Sequence, residues 1–190
     1  MTNPTVSAGK IATCTVNGSD ISAIVTVLEY FESIYSPTAS CNLTLSDASG
    51  FNQSANLKGN EDVEIAFGNR DGDSIRMKLK TCKITERMRV KENLDMYVIV
   101  CCADEFLNQN KKSINKAYTG KKISEMVENI LTDKLKVKPK NIQKIEETTG
   151  TYSFVVPRLK PFEAISWLSI YARPKATGTV GADMLFFETK

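Results

Sequence analysis

The stretch from residue 75 to residue 90 constrains the fold of this chain most, because its apolar side chains change parity midway. They stand first at odd and then at even positions: Ile75, Met77, Leu79, then Cys82, Ile84, Met88 and Val90. Side chains of a strand alternate between its two faces, so a shift by one residue requires a β-bulge or a sharp bend, here near Lys80–Cys82. Long bent strands let a sheet curl towards a barrel.

The other segments of the first hundred residues also have strand character. Residues 40–47 alternate apolar and polar side chains, and residues 62–67 do the same, which is typical of a sheet with one buried face. A β-branched and aromatic run ends at Ser36–Pro37, and residues 94–103 follow a turn to pair with the bent strand. Residues 50–59 are a short helix or loop, and residues 68–73 have turn composition. We predict a mainly antiparallel α+β chain whose domain 1–107 is a β-barrel or sandwich.

Beyond residue 107 the apolar spacing becomes helical. Residues 120–135 place six apolar side chains on one helix face: Ile123, Met126, Val127, Ile130, Leu131 and Leu135. Residues 151–156 read as a short strand, and Pro157 and Pro161 hold the next segment stiff and extended. Pro161 also suits the first turn of a helix that ends before Pro174. We predict a helix-containing insertion domain at 108–174, in which the two prolines orient the last helix.

The apolar stripe of this last helix has two interpretations. It consists of Phe162, Ile165, Trp167 and Leu168. Together with Pro157 and Pro161 these residues form a candidate interface, since aromatic side chains are favoured at interface centres. The alternative, which is commoner for such stripes, is packing inside the domain against the preceding strand.

The last segment, 175–190, returns to strand character. Its apolar run "ADMLFFETK" needs a partner strand from an earlier part of the chain, from another subunit or from residues beyond Lys190. We therefore predict that it is the first strand of a second, incomplete β domain.

Several classes of function lack the residues they need. The chain has no histidine, and its five cysteines are scattered without a C-x-x-C pair, which indicates reduced, buried thiols. "TGKKIS" fails as a phosphate-binding loop because Asn115 replaces the first glycine and Lys122 the hydroxyl residue. Adjacent carboxylates such as Glu146–Glu147 point to opposite faces of a strand and do not converge on one bond. We predict no catalytic residues, no metal and no cofactor.

The sequence also predicts where in the cell the protein is found. No apolar run approaches the ~20 residues that a membrane-spanning helix needs. The first ten residues, "MTNPTVSAGK", lack the basic start and apolar stretch of a signal peptide. We expect no membrane association and a protein that stays in the cytosol of the cell that makes it.

The net charge is only +3, but the cations are clustered in two segments. A basic strand surface consists of Arg76, Lys78 and Lys80, with Lys83, Arg87 and Arg89 beyond the bend. It could face DNA in a channel or an acidic neighbour, or be a solvated, edge-protecting face. A basic loop consists of Lys134, Lys136, Lys138 and Lys140. If extended, it could meet phosphates or an acidic partner, although a solvated loop is the commoner case and no aromatic residue offers a stacking platform.

Three blocks, "AYTGKKISEMVENILTDKL", "TGTYSFVVPRLKPFEAISWLSIYA" and "MLFFETK", occur in this order across residues 117–190. Together they resemble the hub proteins of contractile-phage baseplates, in which Y-x-G-K precedes an amphipathic helix and an extended segment ending in proline precedes "PF-x-A-I-x-W-L". The all-β region before them resembles the tail-tube-like barrel with which such hubs begin.

The resemblance implies a structural, non-enzymatic subunit of a phage tail. In that family, three subunits with two tube-like barrels each form a ring that matches the six-fold tail tube above and the trimeric spike below. The implied partners are further copies of the chain, tube or tube-initiator proteins, the central spike, and DNA passing through the channel. The implied location is the virion baseplate, assembled in the host cytoplasm.

The sequence is also compatible with other functions. Within the same machinery, a tail-tube or tube-initiator protein would form a six-fold instead of a three-fold ring. In a different class, a β-barrel with a lysine-rich insertion could bind nucleic acid. A tail-associated cell-wall hydrolase fits least, because the residues for that chemistry are missing.

Overall fold

The structure is a computed structural model and describes residues 10–68, 74–175 and 184–189. The chain divides into two compact units. Within the described residues, the first unit contains residues 10–31 and 39–104, and the second contains residues 32–38 and 105–189. The domain limits drawn from the sequence stay predictions, and the predicted turn at 68–73 lies mostly outside the described residues.

The first unit is a seven-stranded antiparallel sheet that curls into a half-barrel. Its strands are β1 (Lys10–Val16), β2 (Ser19–Asp20), β3 (Val25–Phe31), β4 (Ser40–Asp47), β5 (Asp62–Gly68), β6 (Ser74–Lys91) and β7 (Leu94–Cys102). A short helix, α1 (Phe51–Ala55), follows β4. The strand order is β2-β1-β5-β6-β7-β4-β3, which leaves β2 and β3 as the two ends of an open sheet. The predicted fold class is confirmed.

Strand β6 contains the predicted irregularity. Its register with β7 shifts between Thr81 and Lys83, within the segment where the apolar side chains change parity. A second shift follows between Thr85 and Met88, and Glu86 there has a left-handed φ of 54°. Each bulge inserts an unpaired residue and increases the local twist, so an 18-residue strand can bend.

The core of the first unit lies on one face of the sheet. Its buried members are Cys14, Val16, Ile21, Cys41, Leu43, Leu45, Val63, Ile65, Met77, Leu79, Tyr97, Ile99 and Cys101. All five cysteines are free thiols, and Cys82 is the one that is partly exposed. Burial raises the pKa of Cys14 to about 11 and that of Cys41 to about 12. These thiols are protonated at neutral pH and pack as small apolar groups.

One carboxylate, Asp47, is buried at the end of β4 with an exposed fraction of 4%. It accepts hydrogen bonds from the N–H groups of Ser49, Phe51 and Asn52, from the Ser49 hydroxyl and from the Tyr97 hydroxyl, at 2.8–3.2 Å. Burial alone would raise its pKa, but the hydrogen bonds, led by that from Asn52 N–H, outweigh burial and hold the pKa at about 2. Asp47 thereby joins the start of α1 to the core strand β7.

The second unit combines four helical segments with a two-stranded antiparallel sheet, β8 (Ile114–Lys121) and β9 (Tyr152–Leu159). The helices are α2 (Asp104–Asn110), α3 (Ile123–Asn129) with its π-helical continuation Ile130–Leu135, a 3-10 turn at Pro139–Asn141, and α4 (Pro161–Ser169). The predicted helical stripe is on the core side, where Ile123, Met126 and Ile130 are at most 1% exposed. None of the described helices has the length and apolar character needed to cross a bilayer.

Residues 184–189 form no strand, although their exposure alternates. Met184 and Phe186 pack against the second core, whereas Leu185 is 53% and Phe187 is 40% exposed. The Phe186 ring lies 5.7 Å from that of Phe162. The expectation that this segment opens a second β domain stays a prediction.

Candidate interaction surfaces

The two-proline corner is a β-bulge followed by a helix start. Val156 pairs with Lys116 and Leu159 pairs with Ile114. Pro157 and Arg158 of β9 therefore stand opposite the single residue Asn115 of β8, which is the geometry of a β-bulge. Pro157 fits there because an edge bulge needs no N–H from it. Arg158 has a left-handed φ of 48°, so the corner is not extended throughout as the sequence suggested.

Beyond the bulge, Pro161 begins α4 and the Glu163 carboxylate accepts the N–H of Lys160 at 3.0 Å. This bond satisfies one of the N–H groups that a helix start leaves free. The corner thus fixes the direction in which α4 leaves the sheet.

The apolar stripe of α4 divides between the core and the surface. Phe162, Ile165 and Leu168 are 5%, 0% and 0% exposed and belong to the core of the second unit. Trp167 is only partly buried at the border of that core. Three of the four stripe residues are therefore buried in the chain's own core, and Trp167 is the one whose position suits a contact with a partner.

Trp167 belongs to a surface cluster of four aromatic rings. The Phe154 ring lies 5.5 Å from Tyr152, 5.3 Å from Trp167 and 5.2 Å from Tyr171, and Trp167 lies 5.6 Å from Tyr171. Tyr171 is 42% exposed and its neighbour Ile170 is 67% exposed. Such ring pairs stabilise the link between β9 and α4 and hold the exposed rings in fixed positions.

Carboxylates neutralise most of the basic strand surface within the chain. Lys78 pairs with Glu64 at 2.5 Å and Lys80 pairs with Asp62 at 2.8 Å. Arg87 and Arg89 share Asp95, at 2.8 and 3.7 Å. Arg76 is exposed and stands opposite Ala66, with no ion pair to a described residue.

These cations also do not share one face of the sheet. Lys80 is opposite Cys102 and Arg89 is opposite Asp95, and these two partners lie seven residues apart on the regular strand β7. An odd separation puts them on opposite faces. The sequence predicted a single basic surface, but the structure divides these cations between the two faces of the sheet. The reason is the second bulge of β6, between Thr85 and Met88, which reverses the face on which the following side chains lie.

The basic loop is not extended. Lys134 lies in the π-helical turn, Lys136 is its left-handed C-cap with φ of 63°, and Lys140 lies in the 3-10 turn. Lys112 donates to the Lys134 carbonyl at 2.5 Å, which adds a fifth cation to this region. None of these lysines forms an ion pair with another described residue, so their charges remain available to an anion.

Substituting Lys136→Gly is expected to raise the free energy of unfolding of the second unit by up to about 1 kcal/mol. A non-glycine residue at a left-handed C-cap is strained, and glycine relieves that strain. Urea unfolding followed by the fluorescence of Trp167, the chain's one tryptophan, measures the change. Lys138→Gly, at an extended position, is the matched control and should be neutral or destabilising; an equal gain in both variants would contradict the prediction.

The sequence did not reveal that β7 is apolar on both faces. Tyr97, Ile99 and Cys101 point into the core, while Met96, Val98 and Val100 point away from it and are half-buried. The uninterrupted run "MYVIVCC" is the signal, since strands covered on both faces lack polar alternation. The same outer face carries three exposed apolar side chains: Val27 (47%) and Phe31 (48%) on β3, and Met88 (59%) on β6.

Strand β8 was also missed, because its segment INKAYTGK is half polar. Only Ile114 and Tyr118 of this strand are buried. In the part of the chain that the structure describes, no group of three or more Cys, Asp and Glu side chains is arranged to hold a metal ion.

Neither the protein-family models nor the curated proteins contain a match to this chain. Solved structures do match. The 43 kDa tail protein of prophage MuSo2 from Shewanella oneidensis is 11% identical with a TM-score of 0.59, over 86% of this chain and 48% of its own. The tail protein from Neisseria meningitidis MC58 is 8% identical with a TM-score of 0.54, over 85% and 45%.

A third match is the E. coli c3393 protein, a component of the type VI secretion system that exhibits structural similarity to the T4 bacteriophage tail proteins gp27 and gp5. It is 14% identical with a TM-score of 0.53, over 86% of this chain and 42% of its own. The chain thus spans less than half the length of each of these three structures. It has the fold of phage tail proteins, and the resemblance seen in the sequence is confirmed for the fold.

Proposed function

We propose that the chain is a structural subunit of a phage tail baseplate, a hub that connects the six-fold tail tube to a trimeric central spike. The observation that carries this proposal is the fold: a curled antiparallel sheet followed by a helix-containing unit, shared with tail proteins over 85–86% of the chain. The hub motifs at 117–135 and 149–172 form the helix α3 and the β9–α4 corner of the second unit.

In this role the chain works by shape and contact, without catalysis. Three copies form a ring around a hollow channel through which DNA passes, with tube or tube-initiator proteins on one side and the spike on the other. The open ends of the sheet, at β2 and β3, support this arrangement because unpaired strand edges offer hydrogen bonds to neighbours. Assembly would take place in the host cytoplasm and the product would be part of the virion.

Cryo-electron microscopy of the tail particle that contains this chain tests the proposal. We expect a ring of three copies between the tube and the spike. A ring of six copies would favour the alternative of a tail-tube or tube-initiator protein, and particles without the chain in a ring would contradict both.

A nucleic-acid-binding module is the second candidate, favoured by the unpaired lysines of the basic loop and Lys112. A short DNA duplex should then bind with an affinity that falls steeply with salt, with a log–log slope of about −0.9 for each phosphate contacted. Replacing Lys136, Lys138 and Lys140 by serine should reduce that slope by about three. Absent or salt-insensitive binding would remove this candidate.

The third candidate, a cell-wall hydrolase, is tested by a turbidity assay on cell walls, and an unchanged turbidity would remove it.

A further inference from the structure

The outer face of the first unit, turned away from its core, carries two stripes of opposite charge. The acidic stripe, on the end strand β3, consists of Val27, Glu29 and Phe31. The basic stripe, on the β6–β7 hairpin, consists of Lys83, Met88, Met96 and Val98. Cross-strand register puts all of these side chains on the same face.

One row of neighbours crosses both stripes: Glu29 on β3, Asn42 on β4, Val100 on β7 and Lys83 on β6. Three strand spacings separate its ends, which is about 14 Å. Glu29 and Lys83 therefore cannot pair within one chain. Among the described residues, Glu29 accepts one long hydrogen bond, from Asn42 at 3.5 Å, and Lys83 forms no ion pair.

Most other cations of the hairpin differ in this respect, since Lys78, Lys80, Arg87 and Arg89 have carboxylate partners within the chain, whereas Arg76 and Lys91 form no ion pair with a described residue. Each stripe also exposes apolar side chains, with Val27, Phe31 and Met88 at 47–59%. Exposed apolar residues beside a single unpaired charge are typical of a surface that meets a partner. The two stripes are complementary, because each combines apolar contacts with the charge that the other lacks.

We propose that the acidic stripe of one copy docks on the basic stripe of a second copy, with Glu29 beside Lys83. The inference rests on the proposed function and specifies the contact between subunits. Two different surfaces of the same chain meet in this contact, so it is heterologous and repeats around a ring when the rotation closes. A polyanion is disfavoured as the partner of the acidic stripe, because the Glu29 carboxylate would repel it.

Charge reversal tests the contact in the full chain, with sedimentation equilibrium at low ionic strength. Glu29→Lys and Lys83→Glu should each weaken self-association by roughly tenfold, because each puts like charges together. The double variant should restore it. Lys10→Glu, a matched reversal of an exposed cation on β1, should leave association unchanged. Any one of three results would overturn the contact: single reversals that associate as well as the Lys10→Glu control, a double variant that still associates weakly, or a wild-type chain that is monomeric.

A zero-length carbodiimide cross-link gives a second readout without substitution. In a mixture of normal and nitrogen-15-labelled chains, we expect a Glu29–Lys83 peptide that combines both isotopes. Cross-links that never join these residues between chains would overturn the proposal. Failure of this contact can be told apart from failure of the proposed function. A three-fold ring in which Glu29 and Lys83 lie far apart would overturn the contact but keep the hub role. Charge-dependent self-association of a chain that forms no ring in tails would keep the contact but overturn the hub role.

Discussion

Replacing Asp47 with alanine is expected to lower the free energy of unfolding by about 3 kcal/mol, since the loss leaves one buried and several part-buried donors without an acceptor. The main-chain N–H groups of Phe51 and Asn52 and the hydroxyl of Tyr97 all bond to this carboxylate. Urea unfolding followed by far-ultraviolet circular dichroism measures the change. Asp62→Ala, at a carboxylate that is 73% exposed and paired with Lys80, is the control and should cost less than about 1 kcal/mol.

Asp47 also predicts how stability depends on pH. Its pKa is lowered from 3.8 to about 2, so the charged form stabilises the fold fully above about pH 4. That stabilisation, about 2 kcal/mol, is lost as the pH falls through the folded pKa. Asp47→Asn cannot titrate, so the stability gap between wild type and variant should narrow between pH 5 and pH 2. A gap that is constant over this range would contradict the assignment.

The sequence predicted the parts of the fold whose cause is local. Alternation gave the strands β4 and β5, and the parity change placed the bulge near Thr81 because side-chain direction along a strand depends only on position. Pro161 predicted the start of α4 because proline acts on its own φ and on the preceding residue.

What could not be predicted depends on partners distant in the sequence. The pairing of β8 with β9 joins Ile114 to Leu159 across 45 residues, and its polar sequence gives no alternation. The basic strand residues looked like one surface until Glu64, Asp62 and Asp95 were placed beside them. The second bulge at Glu86 is invisible in the apolar pattern because both flanking positions, Ile84 and Met88, are even.

The same distinction applies to the stripe of α4. Helical spacing predicted which side chains share a face, but only the packing of β9 and α3 against that face determines which are covered. Ile165 and Leu168 are covered completely, and Trp167 is left at the border with Phe154 and Tyr171. Effects on stability and effects on partner binding should therefore separate along this helix.

Ile165→Ala is expected to destabilise the second unit by about 3–4 kcal/mol, because the side chain is 0% exposed and its loss leaves a cavity in the second core. Ile170→Ala makes the same chemical change five residues further on, at the C-cap of α4, where the side chain is 67% exposed, and should cost at most about 0.5 kcal/mol. Both variants keep Trp167, whose fluorescence follows the unfolding of this unit in urea. Equal, small losses at the two positions would mean that α4 does not pack as the structure shows. A large loss at Ile165 alone identifies the helix as part of the core, with Trp167 at the border of that core and Tyr171 exposed just beyond the end of α4.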